Sequence, residues 1–356
     1  MSSSTSTASQ RNIALDYAKG IGIIVVVFAH LWRGLHGANL LNGVSETYFL
    51  AISSACTILS MPAFFFASGI LFGKNIEKKH RLKEFSGKFD AIFYPYLIWS
   101  LLIGAFEVLS SGIRNGSSSF NELPAIFWHP RGVFWFLYSL ILAFGLTEIT
   151  IYFAGPKRGR LLTLPIALAL LWIYPHITIN YFSLPLFCLS YVYFSLGLIF
   201  SKSIPSRQYS PRNAIFWLTA LILAQYIFHI LLGERTLSFQ SVSPNATVFA
   251  MITGFLVFGF AYSLPSQGTA WLANLGEKSM DVYLMHLLFI ASLRILFQKV
   301  LGIENAMLYI IPGMLVGLCG PLAAAHALRK IGLNFLFSPP KFLSLKSRLQ
   351  KIPTST

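Results

Sequence analysis

Three ionisable side chains lie in the first apolar run of the chain, and their spacing indicates a reactive site. Asp16 and Lys19 are i,i+3 neighbours on a helix and can form an ion pair. His30 follows Lys19 by eleven residues, which places both within about 20° of one helix face and about 16 Å apart along the axis. An imidazole can act as a general base or a nucleophile near neutral pH. The alternative for His30 is a histidine that only hydrogen-bonds a neighbouring helix.

Asp16, Lys19 and His30 thus form a polar stripe along one side of the first helix, the His30 stripe, and two features of the sequence support a site there. Gly20 and Gly22 lie beside it and allow another group to approach closely. A second polar run, LGEKSMDVYLMHLLFI, carries Asp281, with Tyr283 about one turn before His286. Taken alone, His286 is as easily a structural residue as a functional one.

The elements that position these residues follow from the composition. The chain has 356 residues, of which 55% are hydrophobic and only 11% are charged, and its mean hydropathy is +0.65. Apolar runs of about 20 residues recur along it, the length that crosses a bilayer as a helix. This excludes a soluble enzyme and a disulfide-stapled domain. We predict an all-α polytopic membrane protein of about ten spans, at 13–33, 49–73, 91–111, 133–154, 161–175, 180–200, 213–232, 246–265, 272–296 and 306–328.

The positive charge follows the topology. The formal net charge is +15, and Lys and Arg concentrate in 74–88, 157–160, 202–212 and 329–351. With ten spans these segments share one side, whereas six basic residues, among them Arg33, Arg294 and Lys299, fall on the other side. The positive-inside rule makes the basic side and both termini cytoplasmic. The count requires two spans in 161–200, joined by a tight outer turn, with a re-entrant loop as the alternative. Nucleic acid is not an expected partner. We expect a polar tail at 1–12, a membrane domain at 13–331 and a basic tail at 332–356.

Two segments outside the spans suggest ligands. The basic loop KNIEKKHRLKEFSGKFD at 74–90 is accounted for by topology or anionic lipid, and it can also hold a phosphate-rich cytosolic ligand. The segment FWHPRGVFWFLYSL places Arg131 and Trp135 among further aromatic residues. An interfacial aromatic belt explains it, and a sugar ring is the alternative occupant. The cysteines lack metal-ligand spacing, and we predict no metal site.

Several motifs occur in the order typical of one family. The chain resembles the membrane acyltransferase-3 family, and within it the exopolysaccharide and fucose O-acetylase-like branch that includes xanthan-type acetylases. The resemblance covers nearly the whole chain, and its first and ninth motifs are the specific ones. The motifs are LDYAKGIGIIVVVFAH, MPAFFFASG at 61–69, YPYLIWS at 94–100, VFWFLYSL at 133–140 and GEKSMDVYLMH at 276–286.

The resemblance implies an O-acyltransferase of the bacterial inner membrane. Such an enzyme moves an acetyl group from cytosolic acetyl-CoA, with no tightly bound cofactor, to a hydroxyl of a surface polysaccharide or its lipid-linked precursor. A polysaccharide synthesis complex is a possible partner. His30 would be the catalytic base or, less favourably, the acetyl carrier. Lys19 and Asp16 would line the cytoplasmic entrance. The residues expected to bind the donor are Lys88, Arg81 and Lys78. The residues expected to bind the acceptor are His286, Tyr283, Trp135 and Arg131, and His286 or Tyr283 can also stabilise the oxyanion.

One position departs from the family pattern. The family has two arginines, three residues apart, before the proline of its third span, and they are credited with donor binding. In this chain Lys88 and Ala91 stand at those positions, counted back from Pro95. The resemblance therefore leaves the donor site incomplete. The basic residues that can supply the missing charge are Lys78, Lys79, Arg81 and Lys83.

Two other classes of protein also fit a polytopic chain with buried charges. A transporter, such as a flippase for a lipid-linked glycan, places ionisable residues in its spans. The sequence lacks the internal repeat that marks many transporters. A non-catalytic scaffold of a synthesis complex leaves the His30 stripe unexplained.

Overall fold

The computed structural model describes residues 13–77, 81–109, 120–179, 181–203, 209–233, 244–265 and 267–349. Throughout these ranges the secondary structure is helical, with no β-strand. Short 3₁₀ and π segments flank the α-helices. The α-helices are α1 Ile13–Gly37, α2 Glu46–Gly73, α3 Arg81–Leu109, α4 Trp135–Ile173, α5 Leu184–Phe200, α6 Pro211–Tyr226, α7 Pro244–Ser263, α8 Ala270–Glu277, α9 Ser279–Ile295, α10 Met307–Lys330 and α11 Leu345–Leu349.

The bundle has the dimensions and the surface of a membrane protein. Within the described residues, eight helical segments are long and apolar enough to cross a bilayer, and the 17-residue α5 is a shorter apolar helix. Large apolar side chains cover the outside, among them Tyr152, 82% exposed, and Trp172, 71% exposed. In water such a surface would drive aggregation, whereas lipid tails solvate it. The predicted all-α polytopic membrane fold is confirmed.

The longest of these segments is a hairpin. Gly155, inside α4, has φ 76° and ψ 166°, a conformation that glycine adopts readily. A Cβ at Gly159 would lie 2.8 Å from the Cα of Ile151, although residues eight apart in a straight helix are about 12 Å apart. The chain therefore folds back at Gly155, and the predicted loop at 157–160 is helical because Pro156 starts a new helix.

Each of the ten predicted apolar runs contains helix, but two boundaries were wrong. The helix α3 begins at Arg81, so residues 81–90 of the predicted basic loop 74–90 are helical. The predicted ninth run is divided at Lys278 into α8 and α9, and the break turns α8 against α1. Gly276 then lies so close to α1 that an added Cβ would overlap the backbone carbonyl of Asp16.

The helices α2 and α5 make the most extensive contact in the bundle, through small residues. Gly69 and Gly73 on α2 face Gly197 and Ser201 on α5 at the four-residue spacing of membrane helix crossings. A Cβ at Gly197 would meet the backbone carbonyl of Phe66, which has no rotamer to change. This crossing therefore holds two backbones in direct contact.

We expect Gly197→Ala to destabilise the protein, because the new methyl group must push α5 away from α2. Overpacking of this kind costs about 1–3 kcal/mol. The measurement is the thermal midpoint of the detergent-purified protein. Gly254→Ala on α7 is the matched control, since no described atom lies within 4 Å of a Cβ there. Equal midpoints for the two variants would show that the crossing tolerates a side chain.

The C-terminal segment is not a separate tail as far as residue 349. Asp90 of α3 accepts hydrogen bonds from the Ser344 hydroxyl at 2.7 Å and from the backbone N–H groups of Leu345 and Lys346 at 3.0 and 3.1 Å. These bonds cap the start of α11. The indole of Trp99 donates to the carbonyl of Leu336 at 2.8 Å. The segment 333–349 is therefore docked along α3, while the predicted N-terminal tail lies outside the described residues.

Candidate active site

His30 lies on the edge between two faces of α1, and each face lines a cavity. The face toward α2 carries Val26, Ala29 and Arg33. The face toward α9 carries Gly34 and Gly37. In the part of the chain that the structure describes, His30 is the one residue that lines both cavities. The imidazole therefore forms part of the boundary between two separate spaces.

The first space, the small cavity, has a volume of about 100 Å³, room for only a few water molecules. It lies between α1, α2, the start of α4 and α9. The second, the large cavity, has a volume of about 480 Å³ and lies between α1 and α9, within the size range of small-molecule sites. The residues that line the small cavity are Val26, Ala29, His30, Arg33, Thr57, Ser60, Met61, Val133, Trp135 and Tyr283. The residues that line the large cavity are His30, Gly34, Gly37, Ala38, Asn39, Leu287, Ile290, Ala291, Arg294, Ile295, Gln298 and Lys299.

Arg33 brings a positive charge to the small cavity. One terminal nitrogen, Nη2, donates to the carbonyl of Ser53 at 3.0 Å and to the hydroxyl of Thr57. Its Nε is buried without a hydrogen-bond partner, and no carboxylate pairs with it among the described residues. A buried guanidinium without a counter-ion is costly in a membrane helix. The site is therefore suited to receive a negative charge or a polarised carbonyl.

His286 contacts His30 from α9. Their ring centroids are 5.1 Å apart, and the ring planes are tilted by 52°. The Nδ1 atom of His286 lies 2.8 Å from the carbonyl of Tyr283, so Nδ1 carries the hydrogen and donates it. Its Nε2 is then a lone-pair acceptor, and this buried atom has no hydrogen-bond partner. The folded chain thus joins the two histidines that the sequence singled out separately.

The other three expected acceptor residues are placed differently. Trp135 and Tyr283 line the small cavity, beside His30. The Tyr283 hydroxyl donates to the carbonyl of Val133, so its hydrogen is already engaged and only its oxygen lone pairs remain. Arg131 pairs with Glu107 at 3.4 Å and lines neither cavity.

The predicted ion pair at the start of α1 is confirmed. The Lys19 ammonium lies 2.8 Å from the Asp16 carboxylate. Gly20 and Gly22 do permit close approach, since Gly20 packs against the backbone of Leu272 and Gly22 against the ring of Phe64. The pair lines neither cavity, so the structure does not bring Asp16 and Lys19 together with His30.

The predicted donor residues meet at a small pocket near the end of the bundle where α1 begins. Arg81 and Lys88 line a space of about 20 Å³ together with Glu148. The Arg81 guanidinium donates to Glu148 at 2.6 Å and also to the carbonyl of Ile76. Lys78 lies outside the described residues. The docked C-terminal segment adds Lys346, whose Cδ atom lies 3.2 Å from the position of a Cβ on Gly87, one residue before Lys88.

Asp281 of the ninth motif is structural in this arrangement. Asp281 accepts two hydrogen bonds from Arg329 of α10, at 2.6 and 2.7 Å. The same guanidinium lies 4.3 Å from the ring centroid of Phe337. The bidentate pair ties α9 to α10 and orients the helix that carries His286. Elsewhere in the described ranges, no cluster of three His, Cys, Asp or Glu residues forms a metal site.

Sequence reasoning missed Arg33, Arg294 and Lys299. Counting charges assigned all three to the outer side, as topology. A signal for Arg33 was available, because it follows His30 by three residues and therefore lies on the same side of one helix. Arg294 has a weaker signal of the same kind, since it follows His286 by eight residues, close to two helical turns.

The chain is similar in sequence to known proteins. The family model described as "Acyltransferase domain" (acyltransferase-3) matches residues 12–326. The nodulation protein NolL of Sinorhizobium fredii (strain NBRC 101917 / NGR234) is 28% identical over 204 residues, which cover 56% of this chain and 51% of the relative. The nodulation protein NolL of Mesorhizobium japonicum (strain LMG 29417 / CECT 9101 / MAFF 303099) is 22% identical over 301 residues, 78% of this chain and 76% of the relative. The match thus spans about half the length of the first relative, and no solved structure matches the chain.

Proposed function

We propose, because the chain belongs to the acyltransferase-3 family, that it moves an acetyl group from acetyl-CoA to a hydroxyl of a surface polysaccharide or its lipid-linked precursor. The match to the acyltransferase-3 model confirms the family and the enzyme class that the sequence motifs predicted. It also favours an acyltransferase over a transporter or a scaffold. In our proposal the protein lies in a bacterial inner membrane with both termini in the cytoplasm, where acetyl-CoA is available.

The observation that supports this reaction best is the position of His30 between two cavities of unequal size. Acyl transfer brings two substrates to one base. We assign the acetyl group to the small cavity, whose volume suits a two-carbon acyl group, and the acceptor to the large cavity. The thioester reaches His30 from the end of α1 where Lys19 lies, about 16 Å away along the helix axis. We assign the phosphates of the donor to Arg81 and Lys88 at that end.

The chemistry then needs one base and one anion-stabilising group. A sugar hydroxyl is a weak nucleophile, so His30 removes its proton as the oxygen attacks the acetyl carbonyl. A tetrahedral intermediate forms with its negative charge on the former carbonyl oxygen. Its collapse breaks the carbon–sulfur bond, releases CoA thiolate and leaves the acetyl ester, and the proton held by His30 returns to the thiolate.

We assign the oxyanion to Arg33. Arg33 lines the small cavity and its Nε–H has no hydrogen-bond partner, and a donor that is already in place stabilises developing charge most effectively. Tyr283 is less suited, because its hydroxyl hydrogen is bound to Val133. His286 acts as a positioning residue, since its free Nε2 can accept a hydrogen bond from the ring of His30.

The test combines a chemical and a genetic measurement. Purified protein is incubated with [¹⁴C]acetyl-CoA and polysaccharide extracted from a strain that lacks the gene. We expect label to enter the polysaccharide as an alkali-labile ester, and we expect the ester content of the mutant strain to recover when the gene is restored. If the polysaccharide of the deletion strain has unchanged O-acetyl content and purified protein transfers no label, the proposed function is wrong.

A further inference from the structure

The large cavity has a strongly positive lining. Arg294 and Lys299 border it, and in the described part of the chain its wall contains no carboxylate. Besides His30, the other polar residues that line it are Asn39 and Gln298, whose amide groups can donate hydrogen bonds. A cavity of this size with two cations and no acid favours an anionic ligand.

Arg294 is held by the local fold. After Ile295 the chain forms a π-helical turn, Leu296–Val300, a feature that often marks functional sites. Gln298 in this turn donates to the carbonyl of Ala38 at 3.3 Å, which links the turn to the segment after α1. Arg294 donates to the Gln298 side chain at 3.4 Å. The guanidinium is therefore restrained beside the cavity through Gln298, which is itself bonded to the opposite wall.

The position of the cations fits a ligand that extends toward His30. Arg294 follows His286 by eight residues, a separation of about 12 Å along α9. Between them Leu287, Ile290 and Ala291 form an apolar stretch of the wall, on which the apolar face of a sugar ring can pack. A ligand with its negative group at Arg294 would thus place a sugar hydroxyl near the imidazole.

We propose that the large cavity binds an acidic acceptor, a glycan that carries a carboxylate or phosphate within about one sugar residue of the hydroxyl to be acetylated. Arg294 and Lys299 bind the acidic group and so set the orientation of the sugar. This proposal rests on the proposed function for the identity of the ligand as an acceptor. The negative group has two sources, the glycan itself or the headgroup of an anionic lipid, and we commit to the glycan.

Binding is the measurement that tests this site, because binding is independent of acetyl transfer. The probes are cellobiouronic acid and cellobiose 1-phosphate, each compared with neutral cellobiose, titrated into the protein in a neutral detergent. We expect at least one acidic disaccharide to bind tenfold or more tightly than cellobiose. Arg294→Gln and Lys299→Gln should each remove most of that difference, and Lys299→Arg should keep it.

The matched control is Lys202→Gln, which also removes one positive charge. Lys202 pairs with Glu77 at 2.8 Å at the end of the bundle where α1 begins, and its hydrogen bond lowers the pKa of that carboxyl. Lys202→Gln should leave the preference for the acidic disaccharide unchanged. Equal affinity of wild-type protein for all three disaccharides would overturn the proposal, as would a preference that survives Arg294→Gln in a variant of unchanged thermal midpoint.

A second arm separates the two sources of negative charge. In nanodiscs, phosphatidylglycerol is compared with phosphatidylcholine as the only lipid. Retained preference for the acidic disaccharide in both lipids supports the glycan, whereas its loss in phosphatidylglycerol assigns the cavity to a headgroup and overturns the proposal. If the protein binds the acidic disaccharide but transfers no labelled acetyl group, the proposed function is contradicted, whereas the binding site is supported.

Discussion

His30→Ala is expected to lower the rate of acetyl transfer by a factor of about 10²–10⁴, the range associated with the loss of a general base. The imidazole is the one described group that lines both cavities, and the neighbouring His286 lines neither of them. The loss should appear in kcat, because the binding surfaces for both substrates remain. Transfer of [¹⁴C]acetyl from acetyl-CoA to the polysaccharide of the deletion strain measures it.

The same helix offers a control for this substitution. His36 lies near the end of α1, stacks on Phe49 with a centroid distance of 3.6 Å, and lines neither cavity. His36→Ala should therefore transfer acetyl groups at a rate close to that of the wild type. If His30→Ala inserts normally and retains full activity, His30 is not the base and the two-cavity mechanism fails.

Arg33→Gln is expected to lower kcat by a factor of about 10²–10³, the effect of removing one oxyanion donor. The substitution keeps a polar side chain that can still bond Ser53 or Thr57, so the contact between α1 and α2 is retained. It removes the positive charge and the Nε–H that we assign to the intermediate. Arg33→Lys should recover only part of the rate, because a single ammonium cannot reproduce the fork of the guanidinium.

Two measurements separate this role from a structural one. The KM for acetyl-CoA should change much less than kcat, since the oxyanion exists only in the transition state and the intermediate. Arg212→Gln, at the exposed start of α6, removes an equivalent charge outside the cavities and should leave both constants unchanged. An increase in KM at constant kcat would instead identify Arg33 as a substrate-binding residue.

Local spacing predicted much of α1. The ion pair between Asp16 and Lys19 depends only on a three-residue separation, and the close approach at Gly20 and Gly22 depends only on the missing side chains. The contact of His30 with His286 was not predictable in the same way. It joins residues 256 positions apart, and only the packing of α1 against α9 determines it.

The sequence-based errors have a common physical origin. Hydropathy treats the run 272–296 as one helix, but the backbone changes direction at Lys278 because Gly276 packs on the carbonyl of Asp16. The charges at 157–160 correctly separate two apolar runs, but the turn itself is the single residue Gly155 with positive φ, so the predicted loop is helical. Arg33 was assigned to topology, because the positive-inside rule counts charges and does not record where a side chain points.

The contacts of Asp90 determine the order in which the molecule can be assembled. This carboxylate bonds to residues 254 to 256 positions further along the chain. Translation delivers the third helix long before the segment that follows the tenth, and a long separation adds little to the free energy of closing the loop. The long separation therefore delays the docking of this segment but costs it little stability. Until residues 344–346 have been made, Asp90 of α3 lacks the partners that it binds in the folded protein.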